Sequence, residues 1–107
     1  MATKPLITST TPGKIFYTWN LAAGETGDSV TAPFNGGLSM SVHMAAVGGA
    51  STVMQVSNDG SNFLTMADVS GSQVTADAPA FFEVSTGAEY FRPVATAAST
   101  VIVRVTE

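Results

Sequence analysis

The stretch L-S-M-S-V-H-M, Leu38–Met44, alternates apolar residues with two serines and a histidine. Successive side chains of a β-strand point to opposite faces of a sheet, so a period of two predicts a strand with one buried and one polar face. A helix would instead need apolar residues three and four positions apart. This segment therefore favours a protein built on β-sheets.

The same pattern continues outward from this segment, in β-branched and aromatic residues separated by Gly, Asn and Asp turn signals. No segment of helical length shows helical apolar spacing. We expect about eight strands in an antiparallel β-sandwich or jelly-roll-like barrel, with residues 14–107 as a single domain. Pro33 and Pro93 cannot donate to a sheet ladder and are expected at strand ends or on an edge. The clearest further strand segments are K-I-F-Y-T-W-N-L (14–21), S-T-V-M-Q-V-S (51–57), F-F-E-V-S (81–85), Y-F-R-P-V-A (90–95) and S-T-V-I-V-R-V-T (99–106).

Residues 1–13 differ from the rest, with two prolines, five Thr or Ser residues and one apolar pair. Such a segment cannot form a helix and is a poor hairpin partner, so an extended N-terminal arm is expected. It is either a tail or an arm that lies on a neighbouring protein. Deleting residues 1–11 should then leave the domain folded. The candidate contact residues of the arm are Lys4, Pro5, Leu6 and Ile7.

The composition limits the classes of partner. Charged residues make up 11% of the chain, against roughly 25% in an average soluble domain, so the surface should be neutral and rich in hydroxyl groups. Such a surface suits packing against other proteins. Eight acidic and four scattered basic residues argue against a nucleic-acid partner. No run approaches the roughly 20 apolar residues needed to cross a bilayer, so no membrane partner is expected.

Catalytic signals are weak. His43 is the only histidine, it lies between serines on the polar side of its strand, and no nucleophile-elbow motif accompanies it. The eight carboxylates lie almost entirely in or beside predicted turns, where nothing holds two of them together as an acid and base pair. We therefore expect no enzymatic activity and no cofactor.

The stretch V-S-N-D-G-S-N-F-L-T-M-A-D-V-S-G, residues 56–71, concentrates side-chain oxygens around two glycines. Calcium binding is one interpretation, but the stretch lacks the alternating acidic spacing and the terminal glutamate of a helix-loop-helix calcium site. A pair of turns is the other. Asp59-Gly60 accepts the backbone conformation of a tight corner, and Asp68–Gly71 can form the next turn. We assign no metal site here, and calcium remains the minor alternative.

Three adjacent aromatic pairs, Phe16-Tyr17, Phe81-Phe82 and Tyr90-Phe91, indicate a second buried face. Neighbours on a strand point to opposite sides, so one ring of each pair must leave the main core. Burial of the outward rings against another subunit is the preferred explanation, and a carbohydrate-binding platform is the alternative. The candidate outward residues are Tyr17, Phe82 and Tyr90, with Ile102 on the outer face of the last strand.

Several segments in order also carry a family resemblance: T-W-N-L-A-A-G-E-T-G-D (18–28), L-S-M-S-V-H-M (38–44), T-V-M-Q-V-S-N-D-G-S-N-F (52–63), E-Y-F-R-P-V-A-T (89–96) and V-I-V-R-V (101–105). Together they resemble small virion proteins of tailed bacteriophages, of the head decoration or cement type.

The resemblance implies a structural β-sandwich that binds the outside of a phage head and stabilises it. The implied partners are the major capsid protein and further copies of the chain, and the implied location is the capsid surface after synthesis in the host cytoplasm. A tail or baseplate component is the alternative within virions. A carbohydrate-binding module is the alternative of another class.

Overall fold

The computed structural model describes residues 3–4, 7–11, 14–31, 38–48 and 51–106, and all regular structure within them is β-strand. Consistently, the described chain contains no helix that could span a membrane. The strands are β1 (Thr3–Lys4), β2 (Ile7–Thr11), β3 (Lys14–Leu21), β4 (Thr26–Gly27), β5 (Val30–Thr31), β6 (Leu38–Val47), β7 (Thr52–Ser57), β8 (Leu64–Thr65), β9 (Thr75–Ala76), β10 (Ala80–Thr86), β11 (Tyr90–Ala95) and β12 (Ser99–Thr106).

These strands form two sheets. The five-stranded sheet has the order β10-β6-β12-β3-β2, and the seven-stranded sheet follows the path β1-β4-β11-β7-β8, with β5 beside β11 and β9 beside β7. Every described pair is antiparallel except β1 with β4. The predicted all-β, antiparallel sandwich is therefore confirmed.

The core lies between the sheets. Met40, Val42 and Met44 are buried there, as the alternation of β6 predicts, while the side chain of Leu38 lies outside the described part. Alternate valines of β12 also point into this core. Among the residues whose side chains are described, the buried apolar ones are Tyr17, Trp19, Leu21, Val30, Met40, Val42, Met44, Met54, Met66, Val74, Val84, Phe91, Ala95, Val101, Val103 and Val105.

Trp19 has the largest fully buried side chain. Its ring centroid lies 6.4 Å from that of Phe91 in an edge-to-face arrangement, and its indole N–H donates to the Asp28 carbonyl oxygen at 3.1 Å. Gly27 makes room for this packing. A Cβ at position 27 would lie 2.5 Å from Trp19 Cδ1 and 2.7 Å from Pro93 Cγ.

A β-bulge lies where β6 meets β12. Thr100 is opposite Ala46 but Val101 is opposite Met44, so Ala45 is an extra residue in β6. The bulge explains why Met44 is buried and Val47 still packs against the core although three positions separate them. Strict alternation would put these two side chains on opposite faces.

A buried hydrogen bond joins the two sheets. The hydroxyl oxygens of Thr52 in β7 and Ser99 in β12 are 2.5 Å apart. Ser99 donates its hydroxyl proton to the Ala97 carbonyl oxygen at 2.9 Å, so Thr52 is the donor to Ser99. Both polar side chains are thereby satisfied inside an apolar core.

The N-terminal segment corrects one expectation. Ile7–Thr11 pairs with β3, from Ile7 opposite Thr18 to Thr11 opposite Lys14, so the view of this segment as a poor hairpin partner is wrong. Its isoleucine and threonines suit a strand, since β-branched residues pack well on a pleated surface. Thr3–Lys4 pairs with β4 in the other sheet, so the segment contributes a strand to each sheet.

Pro93 is the second correction, because it lies inside β11 and not at a strand end or on an edge. On one side β11 pairs continuously with β7. On the other side the partner changes from β5, opposite Tyr90 and Phe91, to β4, opposite Val94. Pro93 lies at this interruption, where a residue without an amide hydrogen is tolerated. Pro33 lies outside the described residues.

Asp59 builds the corner after β7. Its Oδ1 accepts from the amides of Ser61 and Asn62 at 2.9 and 2.8 Å and from the Ser57 hydroxyl at 2.8 Å. Gly60 takes a φ of 77°, which favours glycine. These hydrogen bonds, the one from the Asn62 amide foremost, hold the pKa of Asp59 well below its usual range.

Asp68 builds a second corner in the same way. Its Oδ1 accepts from the Ser70 hydroxyl at 2.7 Å and from the amides of Ser70 and Ser72, both at 2.9 Å. The Ser70 hydroxyl is the largest of the causes that lower the pKa of Asp68. Next to this corner, the Val69 amide donates to the Glu83 carbonyl oxygen of β10 at 2.9 Å. The corner is thus attached to an edge of the five-stranded sheet.

Gly27→Ala should lower the free energy of unfolding by about 1–3 kcal/mol, because the added methyl group overlaps the indole of Trp19 and the Pro93 ring. Urea unfolding followed by Trp19 fluorescence measures this. Gly87→Ala is the matched control, since a Cβ there meets nothing within 4 Å. Equal stability of the two variants would contradict the packing described here.

Deleting residues 1–11 should now lower the melting temperature, because it removes β2 from β3 and β1 from β4. A loss of about 1 kcal/mol corresponds to roughly 4–8 °C in a domain of this size. Deletion of Met1 and Ala2 alone is the control. An unchanged melting temperature after the longer deletion would show that β1 and β2 do not stabilise the domain.

Asp59→Asn should destabilise the protein at pH 7 but not at low pH. A carboxylate with a depressed folded-state pKa contributes stability above its unfolded pKa of about 3.9, and the contribution is lost as pH falls through the folded-state pKa. The difference in melting temperature between the two proteins should therefore shrink below about pH 4. A difference that is independent of pH would show that the charge of Asp59 has no role in the corner.

Candidate binding site

Four apolar or aromatic side chains meet on the outer face of the five-stranded sheet. Phe81 of β10 is directly opposite His43 of β6, which is opposite Ile102 of β12. In the next row, Arg104 lies between Ser41 and Phe16. Residues directly opposite on one face have Cβ atoms about 4.5–5.5 Å apart, so the six side chains are neighbours. We call this set, Phe16, Ser41, His43, Phe81, Ile102 and Arg104, the Phe81 patch.

The Phe81 patch encloses a hollow of about 250 Å³. Ser41 forms its floor because its side chain is much smaller than those around it, and the residue is only 8% exposed. A second hollow of about 170 Å³ adjoins the first across Phe81, Ser41 and Arg104, with Val69 and Glu83 among its lining residues. The depression therefore extends from the centre of the sheet to its β10 edge.

Phe81 is the exposed ring of the patch. Its side chain is 60% exposed, and its centroid lies 5.7 Å from that of His43 with the planes tilted by 50°. Phe16 and Ile102 are half-buried beside it. Together with Phe16 and Ile102, the Phe81 ring forms a contiguous apolar area, and contiguous exposed apolar areas can mark binding surfaces.

The charges of this face are unevenly placed. Arg104 and Lys14 lie on β12 and β3, whereas Glu83 lies on β10 at the other side of Ser41. Of the three cations with described side chains, these two share the face, and the third, Arg92, lies on the other sheet. The β3 side of the Phe81 patch is therefore positive in an acidic protein.

Each predicted aromatic pair divides between core and surface, but two of the residues expected to point outward point inward. Tyr17 is 7% exposed, with its ring 5.9 Å from Phe91 in the core, and burial raises the pKa of its hydroxyl. Phe82 packs against the same core. Their neighbours Phe16 and Phe81 are the outward members. The choice of Tyr17 and Phe82 as outward rings is therefore wrong.

A signal for the correct choice was present in the sequence. Phe81 shares its parity with Glu83 and Ser85, and Phe16 shares its parity with Thr18 and Asn20. A polar residue two positions away marks the solvent side of a strand. The polarity of the residues two positions away, and not the rings themselves, identifies Phe81 and Phe16 as the outward members of their pairs.

Tyr90 and Ile102 do point away from the core, but they lie on different sheets. Ile102 belongs to the Phe81 patch, whereas Tyr90 is on β11 in the seven-stranded sheet, where its ring packs over Gly60. On that sheet Arg92 stacks on Phe63, 3.8 Å from the ring centroid, and its Nε donates to Gln55. The predicted interaction residues thus do not form one surface.

The remaining predicted contact residues lie in the N-terminal segment. Lys4 and Ile7 are in β1 and β2, and their side chains lie outside the described part. Pro5 and Leu6 lie outside the described residues altogether. Their predicted role in contacts stays a prediction.

The oxygen-rich stretch at residues 56–71 forms two turns. Three hydrogen bonds converge on Asp59 Oδ1, and its Oδ2 accepts from the Asn62 side-chain amide at 2.7 Å. The carboxylate is therefore already used to hold the corner. Among the described residues no three His, Cys, Asp or Glu side chains gather in a group that could hold a metal ion.

No protein-family model matches the chain, and no curated protein matches it in sequence. Its fold is similar to solved structures that include KdgF from Halomonas sp., with a TM-score of 0.54 and 9% identity over 94% of this chain and 76% of that one. An RmlC-like cupin protein from Desulfovibrio desulfuricans gives 0.53 and 10% over 95% and 78%. A cupin domain from Bordetella pertussis Tohama I gives 0.52 and 12% over 99% and 96%.

At these identities the likeness concerns the fold alone. Cupins are built on the double-sheet jelly-roll architecture, which is also used by lectin domains and viral capsid proteins. Proteins that share this architecture can have unrelated functions. The chain is an antiparallel β-sandwich with cupin-like neighbours in fold.

Proposed function

We propose that this protein is a non-enzymatic structural protein that docks through the Phe81 patch onto a repetitive protein surface. The sequence resemblance suggests the setting, which is the outside of a bacteriophage head. The protein would then be a capsid decoration protein, and the major capsid protein would be its partner.

The observation that carries this proposal is the exposed ring of Phe81 on a face that is otherwise suited to close contact. Complete burial of a phenylalanine side chain contributes roughly 1.5–3 kcal/mol. The half-buried Phe16 and Ile102 beside it would add further apolar area. Because β10, β6 and β12 are paired along their lengths, little conformational entropy would be lost on docking.

The low charge of the chain supports the same proposal. With 11% charged residues, long-range repulsion between neighbouring copies is weak, which permits dense packing on a shell. Each contact adds to the stability of the shell, and repetition over many identical sites makes the sum large. The N-terminal segment would serve in addition as an arm to a neighbour if β1 and β2 leave their own sheets in the assembly.

A carbohydrate-binding module is the second candidate, and the composition of the Phe81 patch favours it specifically. An exposed aromatic ring can stack on a sugar, and the side chains of Ser41, His43 and Arg104 offer hydrogen bonds around it. A tail or baseplate component is a variant of the first candidate. Copy number in purified virions separates head from tail, with hundreds per particle expected for the head.

Phe81→Ser should weaken attachment to phage heads that lack the protein at least tenfold, with the melting temperature nearly unchanged because the ring is exposed. Co-sedimentation of the purified protein with such heads measures the affinity. Leu64→Ser is the matched control, since it removes a similarly exposed apolar side chain, 76% accessible, from the other sheet.

Equal attachment of the Phe81→Ser and wild-type proteins would rule out the Phe81 patch as the docking surface. A glycan array tests the second candidate on the same pair of variants. Glycan binding that Phe81→Ser abolishes, together with no attachment of the wild type to heads, would replace the first candidate with the second.

A further inference from the structure

The floor of the hollow holds a hydroxyl group with unused hydrogen-bonding capacity. Ser41 is more than nine-tenths buried, and its side chain makes no hydrogen bond within the described part of the chain. Among the described residues no buried side-chain nitrogen or oxygen atom lacks a hydrogen-bond partner, so the Ser41 hydroxyl, which has none, is open to water at the surface of the hollow. The Ser41 hydroxyl lines both hollows, where an incoming group can reach it.

The wall of the hollow holds a cation that also has unused hydrogen-bonding capacity. Arg104 is directly opposite Ser41 and is exposed, and among the described residues it forms neither an ion pair nor a hydrogen bond. Its guanidinium is always charged and presents donors in a planar fork. This contrasts with Arg92, which already donates to Gln55 and stacks on Phe63.

We propose that the hollow over Ser41 is a binding site for a carboxylate that a partner protein carries next to an apolar group. The carboxylate pairs with the guanidinium of Arg104 and accepts a hydrogen bond from the Ser41 hydroxyl. The apolar group contacts Phe16, Phe81 and Ile102. We assign the carboxylate to an Asp or Glu side chain of the docked protein, and this assignment rests on the function proposed above.

The charge distribution favours a carboxylate over a phosphate group. Glu83 is opposite Ser41 on the side away from Arg104, so the backbones of Glu83 and Arg104 are two strand spacings, about 10 Å, apart. A monoanion can pair with Arg104 at a distance from Glu83, whereas the carboxylate of Glu83 would repel a dianion more strongly. A planar carboxylate also matches the fork of a guanidinium with two parallel hydrogen bonds.

The test is a titration of the ¹⁵N-labelled protein, followed by NMR, with N-acetylphenylalanine and with its uncharged amide. The acid should shift the amide signals of Ser41, His43 and Arg104 and bind at least tenfold more tightly than the amide. Arg104→Gln should reduce the affinity for the acid to that for the amide. Arg92→Gln removes the same charge from the other sheet and should leave the affinity unchanged.

Equal affinity for the acid and the amide, or an Arg104→Gln variant that binds the acid as the wild type does, would overturn the proposal. Tighter binding of inorganic phosphate or of glucuronate at the same residues would also overturn it. These titrations need no phage heads, so their outcome is independent of the docking test on Phe81.

The source of the carboxylate is tested separately. Arg104→Gln should weaken attachment to phage heads lacking the protein at least tenfold, and Arg92→Gln should not. If Phe81→Ser abolishes attachment while Arg104→Gln leaves it intact, the docking surface stands and the proposed carboxylate contact is wrong.

Discussion

The indole of Trp19, packed edge-to-face against Phe91 between the two sheets, is the contact on which the rest of the molecule depends. Once Trp19 points inward, Phe16 must point outward, because the two are an odd number of positions apart on β3. The register with β12 then places Arg104 on the outside, and β6 follows with Ser41. The composition of the outer face thus follows from the orientation of one buried side chain.

Part of this could be predicted from the sequence. The alternation around Met40, Val42 and Met44 indicates both the strand and its buried face, and the adjacent rings indicate that some aromatic side chains leave the core. The choice within each pair failed because both rings are apolar, and only polar neighbours such as Glu83 distinguish the two sides. A cluster assembled from β3, β6, β10 and β12 depends on strand order, which local patterns do not contain.

The errors at the N-terminus and at Pro93 have a related cause. The threonines of Ile7–Thr11 are compatible with a strand, but its pairing with β3 depends on what the rest of the sheet leaves free, which the segment itself does not show. Pro93 is tolerated inside β11 because two short strands share one side of it and leave an interruption. In both places the outcome depends on strand pairing that the local sequence does not contain, and at Pro93 this context outweighs the preference of the residue.

The hydrogen bond from the Val69 amide to the Glu83 carbonyl oxygen has a consequence for solubility. An uncovered edge strand offers a template on which further chains can add and form aggregates. Many proteins prevent this with charged side chains, a remedy that a chain with so few charges can use only sparingly. Here a backbone contact from a surface corner occupies part of the β10 edge, so copies held at high local concentration are less able to join edge to edge into fibres.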